Sequence, residues 1–139
     1  MYRLRAASAG LLPDVNGRLP ALDRQPLLPR LSRLAIGESL IHHLDVTRWL
    51  LAPLTVVAAR NSCACPAVAG DDSATIELAS NAGMRIEVSG TFSDPAATST
   101  GADHLHIECT TRRIEFDGRM LGLWPVNTNA DHRRSVQSE

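Results

Sequence analysis

The sequence has 139 residues, 44% apolar and 21% charged, the size of one domain at roughly 100–200 residues per domain and enough to bury about two-thirds of the unfolded surface. Fourteen basic against fifteen acidic residues leave a formal charge of −1, and only 4% of residues are aromatic; this excludes the basic footprint and the stacking platforms of a nucleic-acid binder. Every basic residue is Arg and none is Lys, which excludes Schiff-base chemistry and a phosphate-loop lysine.

The first stretch, Tyr2-Arg3-Leu4-Arg5-Ala6, alternates like a short strand. Residues 9–30 carry Pro13, Pro20, Pro26 and Pro29 with Gly10 and Gly17, and read as an irregular excursion. Gly37 to Leu51 is predicted as the main helix. Leu40, Ile41, Leu44, Thr47, Leu50 and Leu51 recur at helical spacing, Glu38 suits the positive end, and Pro53 stops it. On the adjacent stripe Glu38, His42, Asp45 and Trp49 follow at steps of four, three and four. The remainder is strand-like: residues 54–60, 75–79, 84–92, 104–108, 113–116 and 119–124, with turns at Asn81-Ala82-Gly83 and Thr110-Thr111 and a two-residue hairpin signal at Asp117-Gly118. Ile76, Leu78, Met84, Ile86, Val88, Ile107, Ile114 and Phe116 fall on the side to be buried. Glu77, Arg85, Glu87, His106, Glu108 and Glu115 fall on the other side. The expected fold is α+β: an open, mostly antiparallel sheet with one main helix packed on one face, spanning residues 1–124, with a polar tail at 125–139.

No apolar run reaches the roughly 18 residues of a membrane span, no charged-then-apolar leader is visible, and the three cysteines are an odd number. The expectation is a cytoplasmic chain with reduced thiols and neither nucleic acid nor membrane as a partner. No G-x-G occurs, and neither a phosphate loop nor a G-x-S-x-G elbow is present, so the chain alone is expected to bind no nucleotide cofactor.

Among side chains that carry chemistry, Glu38 and His42 form the best acid/base pair. At four residues apart on one helical face, the carboxylate can orient the imidazole for proton transfer; the plainer alternative is that His42 and His43 are partly buried helix residues with satisfied hydrogen bonds. Asp45 and Arg48 read as a partly buried helix-to-sheet tether, and Trp49 as core. His104 and His106, with Cys63, Cys65 and Cys109, have no spacing of a known zinc site, so no metal is expected and the cysteines read as loop or core fillers. The polar sheet face is either solvated or a subunit interface.

The run Gly37-Glu38-Ser39-Leu40-Ile41-His42-His43-Leu44-Asp45-Val46-Thr47-Arg48-Trp49-Leu50-Leu51 resembles the G-x-L-x-D-x-G-x-H-x-x-D-x-x-R-W-L helix of the glucose-fructose oxidoreductase / inositol dehydrogenase / MocA family. That helix lies in the family's C-terminal domain, after its nucleotide-binding domain. Residues 53–60, 69–78 and 106–118 resemble the strands and turns that follow, so the resemblance spans roughly residues 30–124. It implies that His42 falls on the family's site histidine, which helps move a hydroxyl proton while hydride goes to a nicotinamide. Glu38 falls where the family usually has Asp. The nucleotide-binding domain and the family's Glu-Lys-Pro lysine have no counterpart here. The resemblance thus implies a substrate-binding and oligomerisation domain, a fragment or stand-alone remnant of an NAD(P)-dependent oxidoreductase acting on a sugar- or polyol-like alcohol. Such a domain is not a dehydrogenase alone, and it pairs as a homodimer through its sheet face. Two other readings stay open: a cofactor-free small-molecule binder or lyase using Glu38 and His42, and a purely structural dimerisation module.

Overall fold

The structure, a computed structural model, describes residues 1–97 and 102–126. Seven strands form one sheet in the order β2-β3-β4-β1-β5-β6-β7. They are β1 (Tyr2–Ala7), β2 (Leu54–Ser62), β3 (Ser73–Ser80), β4 (Arg85–Thr91), β5 (Ala102–Glu108), β6 (Arg112–Phe116) and β7 (Leu121–Pro125). All neighbours are antiparallel except β1 and β4. The α+β architecture is as the alternation in the sequence predicts. β1 holds a place that its six residues do not announce: it is the central strand that joins two three-stranded meanders.

Register carries two apolar rows across the helix-side face. One runs Leu78–Ile86–Tyr2–Ile107–Ile114–Leu123 and the next Ile76–Val88–Leu4–Leu105–Phe116–Leu121. Burial falls along each row: Ile86 and Val88 are closed off, Ile114 and Phe116 are half-buried, and Leu121 and Leu123 are 72% and 62% exposed. The cause is coverage. The helical layer packs over β3, β4 and β1, where Ala35 and Leu40 join the core, and among the described residues leaves the β6–β7 end as an open apolar shelf. Ile114 and Phe116 are therefore not the fully covered core positions that alternation suggests.

The main helix begins differently from expectation. Residues Ala35–Leu40 form a π-helix and only Ile41–Leu51, labelled α2, is α-helical. Ala35 and Leu40 are both fully buried although five residues apart. In an α-helix that step turns about 140°, whereas the wider π turn returns both side chains to the sheet side. Leu40 lies so close over β4 that a Cβ on Gly90 would stand 2.7 Å from its Cδ2, so a larger residue there must push that side chain aside.

Along α2 the buried face is Leu40, Leu44, Thr47 and Leu51, at steps of four, three and four. Thr47 is closed off completely, its hydroxyl donating to the His43 carbonyl at 2.7 Å and meeting the Tyr2 hydroxyl at 3.3 Å. Two expectations fail here for one geometric reason. Trp49 is 83% exposed, not core, and the Asp45–Arg48 pair, 3.7 Å apart with both side chains about three-quarters exposed, tethers nothing to the sheet. Both lie away from the face that Leu44, Thr47 and Leu51 turn inward. Ile41 and Leu50 flank that face and are half-exposed.

The 9–30 excursion is more ordered than its composition suggests. It holds a short helix α1 (Pro20–Arg24) and a 3-10 turn (Leu28–Arg30). Leu11, Leu28 and Leu34 build a second small core with Cys65 and Val68 of the β2–β3 loop. Cys65 is thus a core filler, while Cys63 and Cys109 are exposed thiols. Partial desolvation of its sulfur by the β2–β3 loop and the nearby Asp72 carboxylate push the Cys63 thiol up from its ordinary value.

The β6–β7 hairpin turns over four residues, 117–120, rather than the predicted two. Phe116 pairs with Leu121, Gly118 has φ +89, and the Asp117 carboxylate accepts from the Arg119 and Met120 amides at 2.9 and 2.8 Å. Those two N–H bonds hold the Asp117 carboxyl below the usual carboxylate range. Of the expected polar tail, Pro125 closes β7 and Val126 donates to the Thr111 carbonyl; residues 127–139 lie outside the described residues.

Candidate functional site

Beside the start of the main helix lies an open cleft of about 710 Å³. Its floor is the end of β1, with Ala6, Ala7 and Ser8. Arg24, Gln25 and Leu28 of the excursion form one wall, and Glu38, Ser39, His42 and His43 the other. Phe92, Asp103, Phe116 and Gly118 complete it. The cleft exists because the helical layer stops short of β5 and β6 while the excursion folds back over the end of β1.

Glu38 and His42, singled out by spacing, both line this cleft and both are exposed. The π turn does not separate them, since four residues along a π-helix still fall on one side. Among the described residues, however, no hydrogen bond or ion pair joins them, and neither has another polar partner. The carboxylate does not orient the imidazole in this structure; the two share a wall and face the same space.

The imidazole that a carboxylate does orient is the neighbouring one. His43 Nε2 lies 3.1 Å from Asp103 Oδ1, Nδ1 lies 3.0 Å from the Ser39 carbonyl, and the His43 side chain is only 16% exposed. Both facing oxygens can only accept, so a neutral ring donates to one of them at a time. The plainer sequence reading, a partly buried helix histidine with satisfied bonds, describes His43 but not His42. Sequence reasoning could not find the partner: Asp103 is sixty residues away and reaches His43 only because β5 pairs with β1.

The other candidates stand apart from the cleft. His106 is on the opposite sheet face, 3.4 Å from Glu115 and 3.7 Å from Glu108. Cys63 and Cys65 sit in the β2–β3 loop and Cys109 in the β5–β6 turn. Among the described residues no three His, Cys, Asp or Glu side chains cluster as metal ligands. No helix in those residues is long and apolar enough to cross a membrane. Nor do they present a fit for a dinucleotide: the one parallel strand pair, β1 and β4, is not joined by a glycine turn opening a helix, the cradle a pyrophosphate ordinarily needs.

No family model matches the chain, and no curated protein sequence does. Solved structures do. An oxidoreductase from Agrobacterium radiobacter, in complex with NAD+, L-tartaric acid and magnesium, matches with a TM-score of 0.73 and 25% identity over 91% of this chain. Levoglucosan dehydrogenase with NADH and levoglucosan gives 0.69 at 19% identity over 94%. An inositol dehydrogenase homolog from Azotobacter vinelandii with NAD+ gives 0.65 at 13% over 94%. The chain spans only about a third of each, 35%, 36% and 37% respectively.

Proposed function

We propose that this chain is the substrate-binding, C-terminal domain of an oxidoreductase that acts on a sugar- or polyol-like alcohol, with any nicotinamide held by protein outside it. The observation that carries the reading is the coincidence of Glu38 and His42 on the wall of one open cleft, in a fold shared with about a third of an oxidoreductase, a levoglucosan dehydrogenase and an inositol dehydrogenase homolog solved with NAD+ or NADH. In this reading the imidazole of His42 accepts the proton of a substrate hydroxyl. It faces the cleft without a competing partner, as a base must to reach its substrate. Glu38, on the same wall, accepts hydrogen bonds from neighbouring hydroxyls and favours the imidazolium once the proton has moved. His43, held by Asp103 and Ser39, positions the wall from behind. The apolar shelf of Phe116, Leu121 and Leu123 beside the cleft is where the cofactor-bearing domain closes over the substrate.

The test is titration of the full chain with a panel of polyols, followed by amide NMR, alongside NAD+ and NADH. The expected result is shifts centred on residues 38–43 with a polyol, weakened about tenfold by His42→Ala through loss of one polar contact, and no response to either cofactor. A panel that moves nothing near His42 would sink the substrate role, and micromolar cofactor binding would sink the partial-enzyme reading.

The same proposal assigns the sheet face opposite the helix to a second copy of this chain. Its ion pairs, Arg3–Glu87, Arg60–Glu77 and Arg113–Glu115, mix both signs, so two such faces can complement each other. Light scattering after gel filtration is expected to give twice the chain mass; a clean monomer at high concentration refutes the pairing.

A further inference from the structure

We infer that the cleft takes a hydroxylated carboxylate, a sugar or polyol acid, with Arg24 seating the carboxylate group at one end and His42 facing a hydroxyl at the other. The inference rests on the substrate-binding reading above and narrows its chemical class.

Among the described residues the cleft lining contains one permanent cation, Arg24. Among the described residues no carboxylate lies within ion-pair distance of it; Arg18, Arg30, Arg33, Arg85, Arg112 and Arg119 are likewise without an ion pair, but of these Arg24 is the one that lines the cleft. Its Nε donates to the Pro20 carbonyl at 3.2 Å. That bond ties the head group to its own helix turn and leaves the two terminal nitrogens as the edge that grips a carboxylate in parallel. Gln25 beside it brings an amide that can both donate and accept, a match for a hydroxyl next to the carboxylate.

The anionic groups of the cleft are at the other wall. Asp103 is engaged by His43 at 3.1 Å, and Glu38 stands on the same wall as His42. An anionic ligand is therefore repelled at the His42 end and attracted at the Arg24 end, which gives it one orientation. A single guanidinium matches a monoanionic carboxylate better than a phosphate dianion, which ordinarily gathers more than one cationic donor. Apolar Ala6, Leu28 and Phe92 line the space, suiting a carbon chain.

The experiment compares D-gluconate with sorbitol, which has the same carbon count and no carboxylate, by NMR titration of the full chain. Gluconate is expected to bind about tenfold more tightly, the effect of one charge-assisted contact, with a preference that shrinks as salt is raised. Arg24→Gln should bring gluconate down to the affinity that the same variant has for sorbitol. Arg24 is exposed, so the variant is expected to fold, which its circular dichroism checks. Glucose 6-phosphate should bind more weakly than gluconate. Equal affinity for gluconate and sorbitol, a preference that survives Arg24→Gln, or tighter binding of the phosphate would each overturn the inference. In those cases sorbitol shifts at residues 38–43 would leave the polyol reading standing; if neither gluconate nor sorbitol binds, both fall together.

Discussion

Asp72→Ala is expected to destabilise the chain by about 3–5 kcal/mol in urea unfolding. The Asp72 side chain is completely buried. One oxygen accepts from the Ala64 and Cys65 amides at 2.8 and 2.7 Å and from the Ser93 hydroxyl at 3.2 Å, and the other accepts from Ser73 at 3.1 Å. Truncation strands two backbone donors and the Ser93 hydroxyl, at about 1–3 kcal/mol for each group left buried and unbonded, while the Ser73 hydroxyl keeps Thr91 at 2.8 Å. It also unfastens the loop that supplies Cys65 and Val68 to the second core. The adjacent residue is the control. Asp71 is also buried, yet neither of its carboxylate oxygens has a partner among the described residues. Its useful contact is the main-chain carbonyl, which accepts from Ala35. Asp71→Ala is therefore expected to be near neutral or stabilising, and equal losses at the two positions would refute this division of labour.

Gly70→Ala is expected to cost about 3 kcal/mol, at the upper end for an overpacked site. A Cβ there would stand 2.3 Å from the Leu31 carbonyl oxygen and 2.6 Å from the Ser32 carbonyl carbon, so main chain must yield. Two hydrogen bonds hold those main chains together on either side, Ala69 to Pro29 at 2.9 Å and Ala35 to Asp71 at 3.0 Å. Gly90→Ala meets the Leu40 side chain instead, which can change rotamer, and should cost about 1–2 kcal/mol. Because residues 29–35 lead directly into Glu38, the Gly70 variant should also weaken polyol binding at the cleft. A Gly70→Ala protein with unchanged unfolding midpoint and unchanged binding would show that this contact is softer than its geometry implies.

Strand alternation was enough to place Ile76, Leu78, Ile86 and Val88 in the core, because a period of two survives any choice of neighbours, and the hairpin turns pointed to an antiparallel sheet. The helix stripe was legible for the same reason: Glu38 and His42 share a face whether the first turn is wound as α or π. What period alone could not show is which strands the helix covers. Trp49, apolar and on a helix, was expected in the core, yet among the described residues it lies on a side that no other element covers. Ile114 and Phe116 alternate as core residues should, but among the described residues no helix packs over them and they stay half-buried.

The site divides in the same way. The pairing of His43 with Asp103 depends on β5 lying against β1, a contact between residues far apart in the chain that no local spacing encodes. Arg24 and Gln25 belong to a proline-rich stretch with no helical or strand period, and they reach the cleft only because Leu11, Leu28 and Leu34 find a second core under Cys65 and Val68. By itself the sequence determined the element types, the two faces of each strand and the acid/base pair on the helix, since these follow from local backbone period and side-chain chemistry. The tertiary structure alone decided which apolar faces are covered, which histidine has a carboxylate partner, and that an arginine from the excursion stands across the cleft from His42. Those depend on long-range packing, where burial is settled by what lies on top.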